Sequence, residues 1–175
     1  YRNQLTGSIP DSVGELSILR SLDLSGNELT GSIPDSVKDA FRHRGHAGDR
    51  AVLEEIYRAT NGNNWRESDN WMSGKPLNEW KGVTTDANTG RVTELDLSRN
   101  QLTGSIPDSV GKLSNLQKLN LSENKLTGSI PDSVGKLSNL QELNLYRNQL
   151  TGSIPDSVGE LTSVQELCLY RNQLT

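Results

Sequence analysis

Few residues in this chain could do bond-making chemistry, and none of them come in sets. His43 and His46 are the only histidines, and Cys168 is the only thiol. Two histidines with no further ligands fall short of a metal set and fit a solvated segment better. A single cysteine cannot form an internal disulfide, and Cys168 is expected to be an ordinary strand residue. Carboxylates are plentiful, but they recur at fixed intervals instead of clustering. No Ser/His/Asp or Cys/His set and no phosphate loop is spelled out, so no enzyme activity, cofactor or metal is expected. What remains is non-covalent chemistry. Tyr146-Arg147 and Tyr170-Arg171 occupy equivalent places 24 residues apart, and tyrosine and arginine are the types that dominate binding hot spots. Copying of one repeat unit would also produce such a pair.

The element that positions these residues is a repeat. From Leu116 to Leu140 the chain reads LxxLxLSxNxLTGSIPDSVGxLSxL, and the motif's asparagines fall at Asn100, Asn124, Asn148 and Asn172, a period of 24 without insertion. A fixed period of about 20–29 with this leucine pattern signals a leucine-rich repeat solenoid. In LxxLxL the second and third leucines alternate with polar residues, which is the period of a strand. Leu119 and Leu121 then point inward, and each turn adds one short strand to a parallel sheet. The asparagines, with Asn27 in an earlier copy, are expected to be buried and bonded to the backbone of adjacent turns, because a buried amide needs partners. Pro131-Asp132-Ser133 opens a short helical or 3₁₀ turn on the outer side. The outward strand positions form the candidate binding face: Glu94, Asp96, Arg99, Lys118, Asn120, Glu123, Glu142, Asn144, Tyr146, Arg147, Glu166, Tyr170 and Arg171. Ser21, Asp23, Ser25 and Gly26 occupy the same places in the earlier copy.

Composition agrees. Of 175 residues only 32% are hydrophobic and one is Phe. That is poor for one central core but enough for a solenoid, which uses a few leucines per turn. A net charge of −4 argues against a nucleic-acid partner. No apolar run approaches the roughly 18 residues of a membrane span. No signal peptide is visible, and the start at Tyr1 in mid-repeat reads as a fragment, an engineered chain or a processed product.

Four segments follow. Residues 1–37 hold a repeat and a half. Residues 38–48, basic and carrying Gly45 and Gly48, read as a linker. Residues 49–90 read as a capping module. Within them Val52, Leu53 and Ile56 have helical spacing, Asp49 is placed to be the N-cap, and Asn61-Gly62 is placed to be the stop. Trp65, Trp71 and Trp80 follow. A ligand platform is one use for them; a plug over the solenoid's first turn is the better one, since an end repeat otherwise exposes its leucines. Residues 91–175 form the clean array.

The repeat resembles the plant-type leucine-rich repeat of receptor-kinase ectodomains and polygalacturonase-inhibiting proteins, whose distinguishing element is GSIP. Asn78-Glu79-Trp80-Lys81-Gly82-Val83-Thr84-Thr85-Asp86 is similar to the cap pattern C-x-W-x-G-V-x-C-D of that class, with Asn78 and Thr85 where the cysteines would stand, as in disulfide-free caps of algal and other microbial repeat proteins. The resemblance implies an α/β solenoid: a right-handed superhelix with a parallel concave sheet, a convex side of 3₁₀ or short helical turns, a second short strand at GSIP and a helix-containing cap. It also implies a non-enzymatic module that recognises a protein or other ligand through its concave face, with a hydrolase-inhibitor-like or glycan-binding role as an alternative. An extracellular or cell-surface location is implied too, against which stand the missing cap cysteines and signal.

The order of the pieces is unusual. Asn27 and Asn100 are 73 apart, not a multiple of 24, and the cap lies between two repeat blocks. The chain starts and ends with YRNQLT, and residues from Gly7 onward would continue the array in phase after Thr175. This reads as a circular permutation. Residues 1–37 are expected to stack on the last repeat, either within the chain or on a neighbour. Eleven linker residues reach at most about 36–40 Å, and five or six turns span about 25–30 Å. A self-completing scaffold, through domain swapping or head-to-tail assembly, is therefore the alternative function.

Overall fold

The computed structural model describes residues 6–15, 24 and 27–175, the side chains of 14–15, 35–36 and 38–46 excepted. The outward positions Ser21, Asp23, Ser25 and Gly26, the first YRNQL, and the side chains of His43 and His46 lie outside it.

In chain order the strands are β1 (Thr6–Gly7) and β2 (Glu28–Leu29), then, after helix α1 (Asp35–Ala59), β3 (Val83–Thr85), β4 (Val92–Asp96), β5 (Lys118–Asn120), β6 (Glu142–Asn144), β7 (Thr151–Gly152), β8 (Glu166–Cys168) and β9 (Gln173–Leu174). The main sheet has the order β3-β4-β5-β6-β8, parallel from β4 onward, with β3 antiparallel on one edge. Its register steps by one repeat, so Leu95, Leu119, Leu143 and Leu167 stand side by side. Leu95, Leu119 and Leu143 are buried in the core while their polar neighbours face solvent, the alternation that a one-sided strand requires; Leu167, on the edge strand, is left partly exposed. Opposite the sheet, 3₁₀ turns at Asp108–Lys112, Asp132–Lys136 and Asp156–Glu160 stack on one another. The chain is an α/β solenoid.

Inside the turns Asn124 closes the geometry. Its Nδ2 donates to the carbonyls of Leu97 (2.9 Å), Leu121 (3.0 Å) and Ser122 (3.1 Å), and its Oδ1 accepts from the amides of Asn100 and Leu102 (both 3.0 Å). Asn148 and Asn172 repeat the pattern, accepting from Leu126 (3.0 Å) and Leu150 (3.1 Å). Asn27 donates to Leu24 (3.1 Å), the same within-turn bond. The outer turns sit so close that a methyl group on Gly111 would collide with the Ser133 carbonyl, which is why the sequence keeps DSVG.

The N-terminal block has the same geometry. β1 pairs with β2 as β7 pairs with β9, in parallel and with equivalent register. Thr30 donates to the Gly7 carbonyl (2.8 Å) as Thr175 does to that of Gly152 (2.9 Å). Its 3₁₀ turn Asp11–Glu15 lies against α1. Residues 38–48, read as a linker from the sequence, are helical: α1 runs unbroken for 25 residues, about 37 Å. The cause is local. Pro34-Asp35-Ser36-Val37 repeats Pro10-Asp11-Ser12-Val13, but Lys38 replaces the glycine that follows in other repeats, and no Leu-Ser ends the turn. Nothing then ends the turn, and it continues as helix, with Lys38, Ala40, Arg42, Arg44 and Ala47 as the favourable helix formers and Gly45 and Gly48 tolerated inside it.

Asp49 is corrected with it. It is no N-cap but a mid-helix residue, 1% exposed. Its carboxylate accepts from Arg91 Nε (2.9 Å), Arg91 Nη2 (3.0 Å) and the Val92 amide (2.9 Å), tying α1 to the start of β4. The helix stops at Ala59. Thr60 bonds back to the Ile56 carbonyl, and Asn61 adopts a left-handed φ of 59°.

Val52, Leu53 and Ile56 of α1 join the core together with the tryptophans. Trp71 lies 4.8 Å from Trp65 and 5.0 Å from Trp80, and Tyr57 joins the cluster. Each indole N–H is used, on the carbonyls of Thr60, Lys81 and Lys75. All three indoles are buried; they pack the interior and offer no platform to a ligand. At the β4 end of the array Asn100 bonds to this tryptophan segment at Glu67, accepting from its amide (2.6 Å) and donating to its carbonyl (2.8 Å).

Candidate functional site

The solvent face of the main sheet carries the candidate residues in columns, because the register repeats. Glu94, Lys118, Glu142 and Glu166 share the first column. Lys118 and Glu142 pair at 2.7 Å, and this hydrogen bond raises the lysine's pKa above the ordinary range. Glu94 accepts from the Thr84 hydroxyl at 3.5 Å.

The second column is Asp96, Asn120, Asn144 and Cys168. Asp96, Asn120 and Asn144 each accept the backbone amide two residues on, at 3.0–3.1 Å, the side-chain turn that Asx residues make. Asn120 also donates to Asp96 at 3.2 Å.

The third column is set by backbone. Arg99, Glu123, Arg147 and Arg171 all have positive φ, 54–57°, a region that non-glycine residues enter only when the surroundings hold them there. The asparagine ladder holds them, and it projects four long charged side chains in parallel from the C-terminal end of the strands. Glu123 bridges Arg99 (2.7 Å) and Arg147 (3.5 Å); its hydrogen bond raises the Arg99 pKa further and keeps that group charged. Beside this column, Tyr146 and Tyr170 lie 4.5 Å apart, and the Arg171 guanidinium sits 5.8 Å from the Tyr146 ring centre. Tyr170 is 63% exposed.

At the β4 end the third column meets the tryptophan segment. Arg66, Glu67 and Lys81 join Asp96, Arg99 and Asn100 around a cleft of about 240 Å³. Neither Arg66 nor Lys81 belongs to the repeat, so periodicity could not have pointed to them. The Asp49–Arg91 tie, 42 residues apart in sequence, has no local signal either. Among the described residues no group of three or more His, Cys, Asp and Glu could hold a metal, and no helix is long and apolar enough to cross a membrane.

The comparisons agree with this architecture. Residues 90–150 match the family described as leucine rich repeat, and residues 19–40 match a second repeat family of the same description. Over 46 residues, 26% of this chain, the sequence is 50% identical to a probable LRR receptor-like serine/threonine-protein kinase of Arabidopsis thaliana; the match lies in the repeats and spans 5% of that kinase. The BIR3–SERK2 complex of Arabidopsis thaliana contains a chain 30% identical, covering 78% of this chain and 70% of its own length, with a TM-score of 0.55. PEPR1–AtPEP1 gives a TM-score of 0.63 at 28% identity, covering 72% of this chain and 18% of that one. Parallel sheet, asparagine ladder and stacked 3₁₀ turns define a solenoid module with an open, polar sheet face. The chain belongs to the leucine-rich repeat family, of the plant type.

Proposed function

We propose that the solvent face of the main sheet recognises a protein ligand and that the module itself is non-catalytic. The observation that carries this is the Tyr146–Tyr170 pair with Arg171 over it. Two large rings and a delocalised cation, left partly open on a rigid face, supply contact area at low entropic cost. That a similar structure is the BIR3–SERK2 complex supports the reading. In it, residues 49–90 act as the capping module and residues 91–175 as the recognising array. The test is a ligand screen by surface plasmon resonance, with secreted proteins, peptides and glycans immobilised separately. For a genuine hit, Tyr170→Ala weakens binding tenfold or more, as hot-spot truncations of about 2 kcal/mol do. Unchanged affinity in both Tyr146→Ala and Tyr170→Ala overturns the assignment, and hits confined to glycans favour the glycan-binding alternative.

A second reading rests on the other end. Leu167 is 44% and Ile154 46% exposed, apolar surface that a further repeat would cover. Residues 1–37 of a second copy are in phase to supply it, as head-to-tail completion requires. Light scattering of the 175-residue chain decides: a mass rising with concentration supports completion between copies, and a monomer at all concentrations rules it out.

A further inference from the structure

We propose that the open end of the array is the acceptor of a head-to-tail join. Its occupant is the N-terminal block of a second copy, residues 7–37, which enters in one register and brings a fresh open end with it. The inference rests on the second reading above; it adds how the two surfaces meet and that the contact propagates from copy to copy.

The acceptor is a rung without a neighbour. In the inner turns Leu121 and Leu145 donate their amides to Asn144 and Cys168, Glu123 and Arg147 donate theirs to Tyr146 and Tyr170, and Leu150 donates to the Asn172 side chain. The equivalent amides of the last turn belong to Leu169, Arg171 and Leu174, and among the described residues no following turn receives them. An edge of this kind is a template for pairing with another chain. Beside it Leu167 and Ile154 are 44% and 46% exposed, whereas Leu143 and Ile130, one turn earlier, are buried. A methyl group on Gly159 meets nothing within 4 Å, whereas one on Gly135 would strike the Ser157 carbonyl.

The donor is built to the same step. A Cβ on Gly31 would lie 3.9 Å from that of Ser8, as one on Gly152 would lie 3.7 Å from that of Ser129. Counting on from Thr175, Gly7 is the next residue in phase, and residues 1–6 of the donor duplicate residues 170–175 of the acceptor. In that register Ile9 falls beside Ile154, Ser12 over Gly159, and Asn27 one rung past Asn172. Ser12 is exposed and Ile9 half-buried in the single chain, so both have surface left to bury. Donor and acceptor are different surfaces of one chain. The interface is therefore heterologous, and each added copy carries the acceptor for the next.

Sedimentation velocity of the whole chain at rising concentration is the test. The wild-type mass climbs past twice the 19.2 kDa of one copy. Ile154→Asp spoils the acceptor and Ile9→Asp the donor, because burying an unpaired carboxylate at the join weakens it at least about tenfold. Each variant alone stays a single copy. Mixed in equal amounts they form a 1:1 pair and nothing larger, since one sound donor meets one sound acceptor. Circular dichroism checks folding. Gly159→Val gives a second acceptor variant that leaves the donor untouched: added in excess to wild type, it caps the growing ends and shortens the assemblies. Wild type stopping at two copies, a mixture that fails to pair, or Gly159→Val leaving the assemblies as long as before each overturns the proposal. Wild type that associates but ignores Ile154→Asp and Gly159→Val removes this join and keeps association between copies. Wild type that stays a single copy at all concentrations removes both.

Discussion

The two ends of the array are made from the same repeat and look nothing alike. At the β4 end Leu95 is completely buried and Asn100, bonded to the tryptophan segment at Glu67, is 5% exposed. At the β8 end the equivalent Leu167 is 44% exposed and Tyr170 63%. Between them Leu119 and Leu143 are at most 1% exposed. Neither the leucine nor the asparagine changes; only the neighbour does. In a solenoid each turn contacts its neighbours alone, so a residue's worth is set by its rung.

Paired substitutions sharpen this contrast. The largest difference belongs to the asparagines. Asn124→Ala strands the buried Asn100 and Leu102 amides and the Leu97 carbonyl, costing about 3 kcal/mol or more. Asn172→Ala removes three bonds where water can enter and costs about 1 kcal/mol. Urea unfolding followed by circular dichroism measures both. Next come the leucines: Leu143→Ala leaves a cavity worth about 3 kcal/mol, whereas Leu167→Ala costs under about 1 kcal/mol in the same assay. Equal losses within either pair would break the comparison.

The glycines give a finer contrast. A methyl group on Gly135 would strike the Ser157 carbonyl, while one on Gly159 meets nothing within 4 Å. Thermal melts should show Gly135→Ala lower by about 1–3 kcal/mol of stability and Gly159→Ala unchanged. Gly159→Ala also reports on head-to-tail completion, since a turn stacked there would make it as harmful as Gly135→Ala.

The smallest effect concerns Asp86, in the turn between β3 and β4. Its carboxylate accepts from the Thr89 amide (2.7 Å) and hydroxyl (2.8 Å) and the Asn88 amide (3.1 Å), and these bonds, Thr89's first, hold its pKa below the ordinary value. A depressed folded pKa stabilises fully above the unfolded pKa near 3.8 and less as pH falls through the folded one. Asp86→Asn should therefore melt slightly lower than wild type at pH 7 and converge with it near pH 2; a gap that persists in acid contradicts this.

How much of this the sequence showed depended on whether a residue acts through period or through distance. The leucines, asparagines and DSVG glycines repeat at 24, so their places in strand, ladder and turn could be read directly. Residues 38–48 could not, because glycines that mark a linker in isolation sit inside a helix propagated from Pro34-Asp35-Ser36-Val37. Asp49 has the composition of an N-cap but is held by Arg91, across a distance no local rule spans. Tyr146 and Tyr170 were legible as a stacked pair. Arg66 and Lys81 were not, because they reach the site only through folding of the tryptophan segment onto Asn100.

Native-state hydrogen exchange of the backbone amides tests the rung rule most directly. Leu97 and Leu121, donating to Asn120 and Asn144, are overlain by further turns, whereas Leu145 donates to Cys168 of β8, the edge strand of the main sheet. The account predicts slow exchange for Leu97 and Leu121 and much faster exchange for Leu145 and the β9 amides, with a gradient toward Thr175. Uniform protection from β4 to β9 would contradict it.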